Sequence, residues 1–243
     1  MDMSLHDVRH ALLELGKLRF GEMKVEDAIQ EIVHTTHSMF HVDGAGLMLA
    51  DSEQHLRNVA ASDARLMHLE ELQIEHHEGP CIDAFETKAL VGVEDLADDD
   101  RWPLFSDAAI ARQVRAVLAS PIPYNQYAVG VVAVLSEQSR PWSPEGELAL
   151  LAFTDLAALL IASMMLGEEQ SEITAQLQGA LNSRQIIEQA KGVLIGTRGI
   201  SARAAYEQLR AQARAERRKL AAVCADVVEN ASRPAGTGEV RTR

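Results

Sequence analysis

Cysteine, aromatic residues and recognisable catalytic signatures are scarce in this chain, and each shortage excludes something. Of 243 residues two are cysteines, Cys81 and Cys224, far apart and without CxxC spacing. That excludes a disulfide framework and fits a reducing compartment, so a cytoplasmic protein is expected. Aromatic residues make up 4%, and the two tryptophans, Trp102 and Trp142, flank prolines and read as loop anchors. There is no Gly-rich phosphate loop, no HExxH and no GxSxG elbow, so neither an enzyme nor a bound cofactor is expected. The opening MDMSLHDVRHALLELGKL carries acids and no continuous apolar core, unlike a signal peptide. It reads as a short amphipathic helix over 1–24, with Leu5, Val8, Leu12 and Leu15 on one side.

Basic residues are scarce in one part only. The net charge is −13, but residues 1–166 carry −16 and residues 167–243 carry +3. The shift, with the linker GEEQSE, predicts a boundary near Gly167. An acidic first part should not cling to nucleic acid; the second part alone could. Long apolar runs are also rare. Leu148–Leu166 is the exception, with Asp155 near its centre, where a charge in a bilayer costs about 2.5–3.5 kcal/mol. It reads as a buried or dimer-forming helix with no membrane involved.

What is present in 25–166 is a mixture of helix and strand. VEDAIQEIVHTTHSMF places Ala28, Ile29, Ile32, Val33, Thr36 and Phe40 on one helical face. GAGLMLA, LRNVAAS, ALVGVEDL, RAVLASPI and AVGVVAVL read as strands bounded by turn residues. Ala116–Ile122 and Ala128–Ser136 flank Pro123–Gln126 as a hairpin. The expectation is an α+β unit, one antiparallel sheet with helices on one face. DGAGLMLAD, EGPCIDAF, VEDLADDDRWPLF and the block VGVVAVLSEQSRPWSPEGELALLAFTDLAA resemble a GAF domain of actinobacterial type from about Val25 to Met165. The resemblance implies a PAS-like fold that senses a small molecule or holds a dimer together.

Three side chains qualify as sensor candidates. Cys81 follows Gly79-Pro80, which opens a helix, and the helix dipole lowers a thiol pKa; the competing reading is a small buried hydrophobe. His76 and His77 stand beside it, either as metal ligands with Cys81 or as two solvated loop residues, with no fourth ligand in view. His34, His37 and His41 share the polar face of their helix and should point at water.

No proline occurs between Glu145 and Ala231. Leu159, Leu166, Ile173, Ala180, Ile187 and Leu194 recur every seven residues, a coiled-coil seam that predicts a long helix paired in a parallel homodimer. Two shorter helices follow Gly199, ARAAYEQLRAQARAE with Ser201 as N-cap, and RRKLAAVCADVVENA. Gly192 inside the long helix costs roughly 0.5–1 kcal/mol. Its expected role is to let the short helices lie close. The tail 232–243 reads as disordered.

The segment ALNSRQIIEQAKGVLIGTRGISARAAYEQLRAQARAERRKLAAVCADVV resembles an ANTAR domain within a C-terminal part spanning 167–231. That resemblance implies an all-α three-helix module that binds RNA with two small stem-loops, as a dimer, in antitermination of leader transcripts. Its matching positions are Arg184, Ile187, Gln189-Ala190-Lys191-Gly192, Ala205-Tyr206 and Leu209-Arg210. Arg217 and Cys224 depart from the pattern. Arg214, Arg217, Arg218 and Lys219 cluster at the joint of the short helices, suited to phosphates. Tyr206 either stacks on a base or packs. Arg184 and Lys191 contact RNA or pair with Glu188 or with an acid of a partner chain. The alternative function is a protein-interaction adaptor that docks a helix on Ala190, Gly192 and Leu194.

Overall fold

A computed structural model of the chain describes residues 24–166 and 172–232, together with Arg9 and Leu13. The expected helix over 1–24, the linker around 167–171 and most of the tail lie outside them, as does any statement on the side chain of Leu166. The described residues form two compact units, the first holding the sheet and its helices, the second residues 178–232 with the turn Ser52–Gln54.

Helix α1 (Val25–Phe40) buries Ala28, Ile29, Ile32, Val33, Thr36 and Phe40, the face its periodicity specifies. Its end is set by His41, which takes the left-handed conformation. His34 and His41 are exposed and His37 is half-buried. Strands β1 (Gly44–Ala50) and β2 (Leu56–Ala61) pair antiparallel. Helices α2 (Ala64–His76) and α3 (Pro80–Thr87) lead to the short β3 (Val91–Val93), and α4 (Pro103–Ile110) to β4 (Ala116–Tyr124). Strand β5 (Tyr127–Ser136) returns from β4 through Asn125 at positive φ, closing the hairpin. The sheet order is β2-β1-β5-β4-β3, antiparallel throughout.

The sequence reading placed the helices on one face; they cover both. Ser120 on β4 meets Thr154 of α5 (Pro144–Leu166), hydroxyl to hydroxyl at 3.1 Å. The neighbouring Val117, with Leu135 and Val93 in register, instead joins Leu66, Leu69, Trp102, Phe105 and Ala109 from the opposite side. Successive strand residues point to opposite faces, so α1 and α5 cover one face and α2, α3 and α4 the other. The unbroken burial of Gly44–Ala50 and Ala128–Ser136 follows from this. The clue was in AVGVVAVL, a continuous apolar run with no alternation, as two-sided burial requires.

Among the described residues α5 is the one helix long and apolar enough to cross a membrane by length and composition. Ala149, Leu150, Phe153, Ala157, Leu160 and Ile161 are buried, on a helix that packs against β4, β5 and α1. Its other side exposes Asp155 and three leucines, with Leu148 at 59%, Leu151 at 40% and Leu159 at 68%.

The second unit is a three-helix module of the part of α6 (Glu172–Arg198) from Gln178 onward, α7 (Ala202–Glu216) and α8 (Leu220–Ser232). Gly199 takes positive φ after α6, the usual way to end a helix with glycine. Ser201 then caps α7, its Oγ accepting from the Ala204 N–H at 3.2 Å. Ile187, Ala190 and Leu194 pack against Ala205, Leu209, Ala213, Leu220, Val223 and Cys224. Burying side chains such as Ile187, Leu194 and Leu209 is worth roughly 1.5–3 kcal/mol each before entropic costs.

That core corrects the expected seam. Ala180, Ile187 and Leu194 are buried inside the chain itself, so they do not also line a coiled coil with a partner. A seven-residue repeat marks one side of a helix and does not say whose surface it meets; here α7 and α8 meet Ile187 and Leu194, and Gln54 bonds to Ala180 O. Leu159 and Ile173 retain exposure.

Gly192 is a second correction. A Cβ at Gly192 would meet nothing within 4 Å, and the residue is exposed. It does not ease a helix crossing within the chain; Ala190, fully buried two residues before it, does that.

Candidate nucleic-acid interface

The basic side chains of the module divide by whether an acid already holds them. Lys191 Nζ lies 2.9 and 2.8 Å from the two oxygens of Glu188, and Arg184 Nε lies 3.5 Å from the same carboxylate. Within its unit Arg184 also donates to Gln54 Oε1 at 3.3 Å. The pairing with Glu188, one of the alternatives left open by sequence, is formed within the chain. Arg218 donates to Asp226 at 2.7 Å and Glu216 at 3.0 Å. These bonds, Asp226 first, hold its guanidinium above its usual pKa, while Gln212 and then Arg218 pull the Glu216 carboxyl down.

Arg214, Arg217 and Lys219 are exposed and make no side-chain ion pair among the described residues. All three stand where α7 ends. Arg217 takes φ 52°, and its N–H and that of Arg218 bond back to Arg214 O and Ala213 O. The turn therefore projects three free cations from a short stretch of exposed backbone. The sequence placed Arg217–Lys219 in the second short helix; they form the turn before it, since α8 begins at Leu220.

Tyr206 is half-buried, packs against the module's core, and carries Arg210 over its ring at 5.8 Å. Of the two roles left open by sequence, the packing one is present, with a guanidinium placed over the ring as a cation–π neighbour. Gln189 is exposed on α6.

The sensor candidates do not form one site. Cys81 is 1% exposed, and burial pushes its thiol up to about 12, with Glu70 raising it further and a bond to Gln73 opposing. The sequence reading allowed a lowered pKa from the helix dipole; desolvation outweighs it, and Cys81 packs as a small hydrophobe. His76 and His77 are exposed, and His77 lies against the ring of His55 with centroids 5.9 Å apart. Among the described residues no group of three metal-binding side chains occurs. Trp102 and Trp142 act as the anchors their positions suggested, donating to Asp83 Oδ2 and Val93 O, each at 3.0 Å.

The described residues thus form a two-faced antiparallel sheet with flanking helices, followed by a three-helix module with exposed cations at one turn. The chain belongs to the GAF family: the GAF domain model matches residues 24–161, and the ANTAR domain model matches 175–228. ANTAR domains are RNA-binding antitermination domains and GAF domains are sensors, which fixes the general kind of protein. The GAF domain of a phosphoenolpyruvate-protein phosphotransferase from Acinetobacter superposes with TM-score 0.51 at 17% identity, over 67% of this chain and 95% of its own. Its counterpart from Coxiella burnetii gives 0.50 at 15%, over 65% and 92%. Identities this low speak for the fold alone. No curated protein matches the chain.

Proposed function

We propose that this protein is a cytoplasmic transcription antitermination regulator that binds paired stem-loops in nascent leader RNA as a homodimer, under control of its GAF domain. The observation that carries the reading is the trio Arg214, Arg217 and Lys219, exposed and free of ion pairs at one turn of an ANTAR module. Backbone phosphates suit such a trio, and loop bases suit the Tyr206–Arg210 stack. Each phosphate neutralised would steepen the salt dependence of binding. Residues 1–166 carry −16, which keeps RNA on the module by repulsion.

The dimer rests on α5. Leu148, Leu151 and Leu159 lie at helical spacing on its exposed side, and a second copy of that face would cover them. A dimer presents two modules, one for each stem-loop. A small-molecule ligand in the GAF domain is part of the proposal, with no residue assigned to it. The adaptor alternative loses most of its surface, because Ala190 and Leu194 are buried in the module's own core; Gly192 alone of its three residues is exposed.

The test is a titration of the full chain against an RNA with two adjacent hairpins and against a single-hairpin control, with Arg214→Ala/Lys219→Ala and Leu159→Glu variants alongside. Tight binding that needs both hairpins, is lost in the first variant and drops to single-hairpin strength in the second supports the reading. Binding indifferent to all three changes overturns it.

A further inference from the structure

The sensor half buries a carboxyl group for which the fold has no evident structural need. Glu70 of α2 has no exposed surface. It shares a helical side with Leu66, Leu69 and Gln73, all buried, and so stands where the packing calls for an apolar residue. The carboxyl takes the space of a missing side chain: a Cβ at Gly46 of β1 would collide with Glu70 Oε1. Oε2 accepts a hydrogen bond from the side-chain amide of Asn58 on β2. Oε1 has no hydrogen-bond partner among the described residues. An orphaned oxygen in a dry site costs about 1–3 kcal/mol, so a structural residue of that size, leucine or methionine, would serve the fold better.

The groups facing it are few and mostly neutral. Strand β1 brings Gly46 and β2 brings Asn58. Helix α3 brings Cys81, whose backbone N–H donates to Gln73 Oε1 at 2.9 Å and whose thiol is pushed up to about 12 by burial. Helix α4 packs on the same side of α2 through Phe105 and Ala109. Among the described residues no basic group compensates the carboxyl, and burial raises its pKa.

We propose that Glu70 is a proton-operated latch of the GAF domain: as the neutral acid it lets α2 seat on the β1–β2 pair, and loss of its proton lifts α2 from the sheet. The ligand read at this place is a hydron, and the moving part is α2, which also packs on α3 and α4. The direction follows from linkage. Burial holds Glu70 well above the ordinary carboxylate range, so both folded and open forms are protonated in strong acid, and seating is then most favourable. As pH rises past the ordinary value the open form gives up its proton first. Seating weakens by about tenfold per pH unit until the seated form also ionises. The inference does not depend on RNA binding by the C-terminal module.

The test is hydrogen exchange of residues 64–76 in the full chain from pH 5 to 8, corrected for the intrinsic pH dependence and referred to β5. The variants are Glu70→Gln, which keeps size and loses the charge, and Asn58→Asp, which sets a second carboxyl against the first. In the wild type, protection of α2 should fall by tenfold or more across the range while β5 stays constant. Glu70→Gln should abolish the fall, and Asn58→Asp should move it to higher pH. Should Glu70→Gln not fold, the carbon resonance of the labelled Glu70 carboxyl in the wild type decides alone. A midpoint within the ordinary carboxylate range, or a fall that persists in Glu70→Gln, overturns the proposal.

Discussion

Lys191 sits one helical turn beyond Glu188, with Nζ within 2.9 Å of both carboxylate oxygens. Arg184, one turn before Glu188, leans on the same group from the other side. One acid thus occupies two cations that the ANTAR resemblance assigns to RNA. A carboxylate presents two oxygens to a cation much as a phosphate does, and RNA has to displace it. Glu188→Gln should therefore tighten RNA binding several-fold at low salt and steepen its salt dependence. Pairs at this helical spacing are worth only about 0.2–0.5 kcal/mol, so the melting temperature should barely move. Calorimetry and a salt series check both; unchanged affinity would mean that Arg184 and Lys191 stay out of the interface.

Arg217 separates stability from binding. A side chain in the left-handed region costs about 1–2 kcal/mol that glycine avoids, and φ at Arg217 is 52°. Arg217→Gly should raise the melting temperature while weakening RNA binding through loss of one free cation. Both changes in the same direction would contradict the assignment.

Gly192→Ala asks what the exposed glycine of α6 is for. With nothing within 4 Å of the added methyl, the helix should gain about 0.5–1 kcal/mol. If RNA binding is nonetheless lost, the glycine serves a close approach of RNA backbone; if binding is retained, Gly192 is replaceable. Thermal melts together with the two-hairpin titration give the answer.

Cys81 should resist alkylation. With burial pushing its thiol up to about 12 and that of Cys224 to about 11, the thiolate fraction at pH 8 is about one part in a thousand or less. Native protein treated with iodoacetamide should react only as fast as it unfolds, and the rate should rise with denaturant. Rapid labelling of Cys81 in the native state would restore it as a redox sensor.

Much of the fold was legible because local signals and packing agree. The face of α1 is plain in its periodicity, and Gly199 and Ser201 mark the change of helix from sequence alone. Whatever depends on which surface meets which was not legible. Ile187 and Leu194 repeat as a dimer seam would, but their neighbours are Leu209 and Val223, far away along the chain. Gly192 looked like a contact residue because Ala190 beside it is one. Glu70 was passed over because an acid on a helix is normally solvated; its spacing from Leu66, Leu69 and Gln73 was the available clue. For the basic cluster, composition named the residues. Only the positions of Glu216 and Asp226 separate Arg218, already engaged, from Arg217 and Lys219.

The hydroxyl pair Ser120–Thr154 is a rare polar contact in the apolar layer between β4 and α5. Thr154 also donates to Leu151 O at 2.8 Å, so its hydroxyl is fixed from both sides. The residue after it is Asp155, exposed. Turning α5 about its axis by one residue, about 100°, would break the hydroxyl pair and drive the Asp155 carboxylate toward the sheet, at a cost of several kcal/mol. The helix is keyed like a shaft in a slotted bearing. Any message it carries from the sheet toward residue 166 travels as tilt or axial slip, with the same leucines facing outward before and after.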